Sequence, residues 1–182
     1  MKNILFLFLI MITPVIAACS NETYTSASSD RVEVLFTTGN HSIPFATNSN
    51  SIKSAEKAIP TELFQSLIQD TSKTIPYIKL GEKIQIDLKN NAPRSSELKE
   101  YLLRNDGTLK YKEETAKTID LAFQDGNGSF MLEENIASFL SSNTQDYEEG
   151  ATLRGFHFVG EWDNRKEEFV FVVKTDATKK SS

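Results

Sequence analysis

Few side chains in this sequence can carry nucleophilic, metal-binding or proton-transfer chemistry. There is one cysteine, Cys19, and there are two histidines, His41 and His157. A lone thiol cannot close an internal disulfide. The two histidines lie far apart in sequence and read as isolated polar strand or loop positions; nothing supplies His157 with a second ligand. Asp125, Asn127 and Ser129 have the alternate spacing with which a calcium loop begins, but such a loop needs glycine at its sixth place and glutamate at its twelfth. Phe130 and Ile136 stand there instead, so Asp125-Gly126-Asn127-Gly128 reads as a hairpin turn. The other cation candidates, Asp146, Glu148 and Glu149, read as a solvated acidic loop. Trp162, between Glu161 and Asp163, has the surroundings to stack on a sugar, yet at the end of an apolar alternation it reads as a cap on the core. No G-x-S-x-G elbow and no glycine-rich phosphate loop occurs. Carboxylate pairs for glycoside hydrolysis need a long cleft around groups roughly 5 to 10 Å apart, for which a small domain with one tryptophan leaves little room. These residues give no catalytic group, no metal and no cofactor.

Cys19 has a distinctive context. Lys2 precedes an unbroken apolar run from Ile4 to Ile12, and Ile16-Ala17-Ala18 leads directly into the cysteine. A basic start, an apolar stretch and small residues before a cut are the general secretory pattern, and with Cys19 at the cut the segment resembles the lipobox signal peptide of bacterial lipoproteins. That family usually has leucine where Ile16 stands, and Pro14 lies close to the cleavage region. The resemblance implies that the Cys19 thiol receives a diacylglycerol, that residues 1–18 are removed, and that acylated Cys19 becomes the N-terminus, carrying fatty acyl chains such as palmitate. One chain holds a protein to a bilayer only marginally, whereas two make a stable anchor. The apolar run is shorter than the ~20 residues that a spanning helix needs. The expected location is therefore extracytoplasmic and membrane-tethered. Lysine, asparagine and isoleucine usage fits a low-GC genome and a Gram-positive cytoplasmic membrane, while Ser20 would permit outer-membrane sorting in a Gram-negative cell.

Loss of residues 1–18 takes one of the 20 basic residues and none of the 25 acidic ones, leaving a net charge of −6. That sign opposes nucleic acid and anionic lipid, both of which attract clustered Lys and Arg. Residues 19–30 are polar and Ser/Thr-rich and read as a flexible tether. Residues 31–178 read as a single domain, with 31–75 as an N-terminal extension to it.

Period-two alternation dominates this domain. Val32, Val34 and Phe36 mark a first strand ended by Gly39-Asn40, and the polar run Ala46–Ser51 reads as loop. Ile84, Ile86 and Leu88 mark a further strand. Tyr101 and Leu103, then Asn105-Asp106-Gly107, then Leu109 and Tyr111 predict a hairpin. Ile119, Leu121 and Phe123 read as one strand, with Phe130 and Leu132 beyond the next turn. The clearest pair is Phe156, Phe158, Gly160 and Trp162 against Phe169, Phe171 and Val173; His157, Val159, Val170 and Val172 make its other face apolar as well, which predicts a central position. Two helical segments interrupt the strands. One starts at Pro60 and carries Leu63, Phe64, Leu67 and Ile68; the other is capped by Glu134 or Asn135 and carries Ile136, Phe139 and Leu140 on one face.

The pattern predicts a mostly β fold, an immunoglobulin-like β-sandwich with one or two short helices, although the antibody cysteine pair is absent and Trp162 falls late. The function expected is a non-enzymatic binding or scaffolding module of the cell envelope, partnered by the membrane through its anchor and by an envelope protein or glycan. The competing expectations are an envelope hydrolase with an acidic site and a small-ligand carrier. A cleft holding a converging acidic pair would mark the hydrolase, and an enclosed apolar pocket the carrier.

Overall fold

The computed structural model describes residues 32–48, 59–89, 91–163 and 165–178, which belong to one compact unit beginning at Val32. It is mostly β, with two five-stranded antiparallel sheets packed as a sandwich and one α-helix. The first sheet has the order β2-β1-β4-β8-β7 and the second β3-β10-β9-β5-β6. The strands are β1 Leu35–Thr38, β2 His41–Ser42, β3 Phe45–Asn48, β4 Lys83–Asp87, β5 Ser95–Leu103, β6 Lys117–Ile119, β7 Phe123–Gln124, β8 Asn127–Met131, β9 Thr152–Glu161 and β10 Lys166–Thr175; helix α1 is Thr61–Gln69.

Alternation puts every second side chain on the same face, and the two inner faces meet in an aromatic core. Phe36, Ile84, Ile86 and Phe130 of the first sheet oppose Leu98, Phe156, Phe158, Phe169 and Phe171 of the second. The β9–β10 register sets Phe156 opposite Phe171 and Phe158 opposite Phe169. The Phe156 and Phe171 rings stack at 4.8 Å, and Phe36 reaches across from the other sheet to within 4.6 Å of Phe171. As the two-sided apolar pattern predicts, β9 and β10 are central strands.

The outer side of that hairpin is half covered by α1. Phe64 and Leu67 pack on Tyr101, Leu103, Leu153, Val170 and Val172 as a second core. Gly155 makes this approach possible, because a Cβ there would lie 2.8 Å from both Phe64 Cε1 and Leu103 Cδ1.

Four segments depart from the sequence expectation. Residues 46–48 belong to the strand Phe45–Asn48 and not to a loop, since β10 offers it a backbone ladder at Phe45↔Phe171 through Asn48↔Glu168, and an edge strand needs no apolar alternation; residues 49–51 lie outside the described residues. Residues 35–48 thus supply strands to both sheets instead of extending a completed sandwich. Ile119, Leu121 and Phe123 do not form one strand: β6 joins the second sheet and β7 the first, and the chain turns the corner at 120–122 with all three side chains packed on the same core. Past Gly107, whose φ is 84°, the returning arm is a single Leu103↔Leu109 bridge.

Candidate functional site

Directly paired residues on antiparallel strands share a face, so the second sheet's outer surface can be read row by row. Tyr101, Gly155 and Val172 form a row beneath α1. Beyond it come Lys99, His157 and Val170, then Glu97, Val159 and Glu168, then Ser95, Glu161 and Lys166. The surface changes from apolar to charged at His157, where the helix stops covering it. The uncovered half is a cleft of about 330 Å³, with Ile59 and Glu113 at its margin.

His157 is buried, and its Nε2 lies 3.5 Å from Glu168 Oε2 without hydrogen-bond geometry. Burial holds the imidazole below its ordinary pKa, with Glu168 pulling the other way. Lys99 Nζ stands 3.3 Å from Glu97 Oε1, and Ser95 Oγ donates to Glu161 Oε2 at 3.0 Å. The Tyr101 hydroxyl is pushed up to about 12, first by burial and then by Glu113 and Glu97. Four glutamates and two lysines line the cleft. Such a wall suits a polar ligand or a protein surface bearing hydroxyl or amino groups. Three of the glutamates already have neighbours: Lys99 beside Glu97, the Ser95 hydroxyl on Glu161 and His157 beside Glu168.

A second charged group lies between the sheets. Glu100 and Arg154 are buried where the sequence pattern calls for apolar residues, and Arg154 Nε and Nη2 donate to Glu100 Oε1 and Oε2 at 2.8 and 2.6 Å. Arg154 Nη1 also donates to the Glu133 carbonyl at 2.6 Å, and the Asn135 amide donates to Glu100 Oε1. The network clamps residues 133–135 onto the sandwich. Sequence reading missed both charges, although each breaks an apolar alternation, Leu98-Glu100-Leu102 and Arg154-Phe156-Phe158; that break was the available signal.

Cys19, the signal segment 1–18 and the tether 19–30 lie outside the described residues. His41 is exposed on β2 at the edge of the first sheet, so it does not meet His157 on the outer face of the second. Asp125 and Gly126 both have positive φ, 50° and 78°, in the β7–β8 turn, the geometry that Asp-Gly favours in a tight hairpin. Asp146 is held by Lys110 Nζ at 2.6 Å and by the Ser141 hydroxyl, and these bonds lower its pKa. Glu148 and Glu149 are exposed beside it. Among the described residues no three His, Cys, Asp or Glu side chains group closely enough to hold a metal ion. Trp162 packs against the intersheet core, donates Nε1–H to the Asn91 carbonyl at 3.0 Å and has the Arg165 guanidinium 5.7 Å from its ring. Among the described residues no helix is long and apolar enough to cross a membrane. Compared with protein-family models, curated proteins and solved structures, the chain has no match in any of the three.

Proposed function

We propose that this chain is a bacterial lipoprotein, tethered to the extracytoplasmic face of a membrane through diacylated Cys19, whose immunoglobulin-like sandwich binds or scaffolds an envelope protein or glycan without catalysis of its own. The anchor follows from Ile16-Ala17-Ala18-Cys19 behind its apolar run. The observation that carries the binding role is the half-covered outer face of the second sheet, where α1 shields the apolar rows and leaves the charged rows around His157 open. Two packed antiparallel sheets support the immunoglobulin-like reading.

The hydrolase alternative draws on the same cleft, since Glu97, Glu113, Glu161 and Glu168 line it. Binding is favoured because Glu97, Glu161 and Glu168 are already engaged by Lys99, Ser95 and His157. A carrier finds less support, because four glutamates and two lysines stand among the residues that line this cleft.

Fractionation of cells expressing Cys19→Ala tests the tethered reading. The substituted protein should leave the membranes for the medium or periplasm. Sedimentation of both forms with membranes after a high-salt wash would contradict the anchor.

A further inference from the structure

Residues 133–150 invert the usual rule of burial. Asn135 caps the 3₁₀ turn Ile136–Leu140 by accepting the Ala137 N–H at 2.9 Å. Its inward residue is polar: buried Ser138 Oγ lies 2.6 and 2.8 Å from the Asn135 and Ala177 carbonyls, which share its one proton. Its outward residues are apolar, with Ile136 80%, Leu140 65% and Phe139 41% exposed, and Tyr147 from the next turn 44% exposed beside them. The Tyr147 hydroxyl lies 3.1 and 2.9 Å from the Phe139 and Ser141 carbonyls and shares its one proton between them, tying the two turns together. These bonds, with the Glu100–Arg154 clamp beneath, fix an apolar knob in place before anything binds it, and such preorganisation lowers the cost of association.

The charges around the knob identify what it suits. Residues 133–150 contain five carboxylates and no lysine or arginine; Lys117 pairs with Glu133 and Lys110 with Asp146 from outside the segment, and Glu134 before the knob with Glu148 and Glu149 after it leaves the rim acidic on balance. Anionic lipid would be repelled by this rim, and a second copy would set like charges against each other. The knob also sits at the pole away from the start of the domain. Val32 N–H donates to Glu167 at the beginning of β10, whereas Ser138 bonds Ala177 past its end, and the ten-residue strand between them spans roughly 33 Å.

We propose that the knob docks a segment of another envelope protein that presents an aliphatic or aromatic side chain flanked by lysine or arginine. This names a partner for the binding-module reading and rests on it.

The test uses the full-length chain in neutral phosphatidylcholine nanodiscs, empty nanodiscs as background, and a fluorescent peptide in which leucine alternates with lysine. A companion peptide carries glutamate at every lysine position. The lysine peptide should bind at least about tenfold more tightly than the glutamate peptide. Ile136→Ser with Leu140→Ser should cost about tenfold or more in that affinity without moving Tm, and Glu148→Lys with Glu149→Lys should weaken binding on an intact knob. Equal binding of the two peptides, or undiminished binding by the Ile136/Leu140 double variant, would overturn the proposal. So would a dimer, or sedimentation with phosphatidylcholine vesicles, that the same double variant abolishes. Cys19→Ala should leave peptide affinity unchanged, so loss of the anchor and loss of the docking site are separable results.

Discussion

The β9–β10 hairpin and the segment 133–150 both carry regularly spaced apolar side chains, and the fold uses them in opposite ways. In the hairpin, Phe156, Phe158, Phe169 and Phe171 are buried to 1% exposure or less. In the turn, Ile136, Phe139 and Leu140 face solvent while Ser138 faces in. Backbone bonding explains the difference. A strand's ladder leaves both faces free to pack, so apolar side chains go wherever a second layer lies. The short turn has no ladder, and its inward face is set by the hydrogen bonds that hold it, from Asn135, Ser138 and Arg154. Apolar spacing therefore identifies a shared face, and the polar partners determine whether that face is covered.

The contrast can be broken from the buried side first. Phe158→Ala should destabilise by about 3 to 5 kcal/mol, while Lys166→Ala in the same hairpin should barely shift the denaturant midpoint; equal shifts would refute the assignment. Arg154→Met leaves Glu100 buried without its counter-charge and should cost a similar ~3 to 5 kcal/mol. Because the Arg154 clamp also holds residues 133–135, this variant should loosen the knob, seen as faster hydrogen exchange at the Ala137 and Ser138 amides. Unchanged exchange there would show that the knob stands without it.

A smaller effect is expected at the boundary between covered and open sheet. His157 has a folded-state pKa below its ordinary 6.5, chiefly through burial. The unfolded chain therefore takes up a proton near that pH that the folded protein resists. Stability from this group is complete above pH 6.5 and falls as the pH drops below it, by at most about 1.4 kcal/mol per unit until the folded histidine also titrates. Thermal scans between pH 7.5 and 5 should show this decline in the native protein, and His157→Gln should flatten it. An identical pH profile in the variant would mean that His157 is not buried as described. The smallest effect belongs to the knob: Ile136→Ser or Leu140→Ser should change stability by no more than about 0.5 kcal/mol, and a loss comparable to Phe158→Ala would show that the knob is core.

The pattern of legibility follows the same physics. β4 and the β9–β10 hairpin could be read because one-sided or two-sided burial leaves a period of two in Ile84, Ile86 and the four phenylalanines. α1 could be read from Pro60 and the spacing of Leu63, Phe64, Leu67 and Ile68. β3 could not, because Ala46-Thr47 pairs through backbone on an edge and needs no apolar repeat. The corner at 120–122 was hidden because Ile119, Leu121 and Phe123 keep their alternation while changing sheets, both sheets facing one core. The charged cleft was invisible for another reason: it exists only through register, which brings Lys99 opposite His157 and Glu97 and Glu168 onto the row beside them. His157 looks isolated in the sequence because its neighbour Glu168 comes from another strand. Glu100 and Arg154 left a trace, each a charge in an apolar position, that gains meaning once the two strands are paired.

The central claim, a binding module held to a membrane by its first mature residue, is tested most directly by mass spectrometry of the N-terminal peptide from the native protein. The account predicts a peptide that begins at Cys19 and carries a thioether-linked diacylglycerol. An N-terminus at any other residue, or Cys19 recovered as a free thiol, would contradict it.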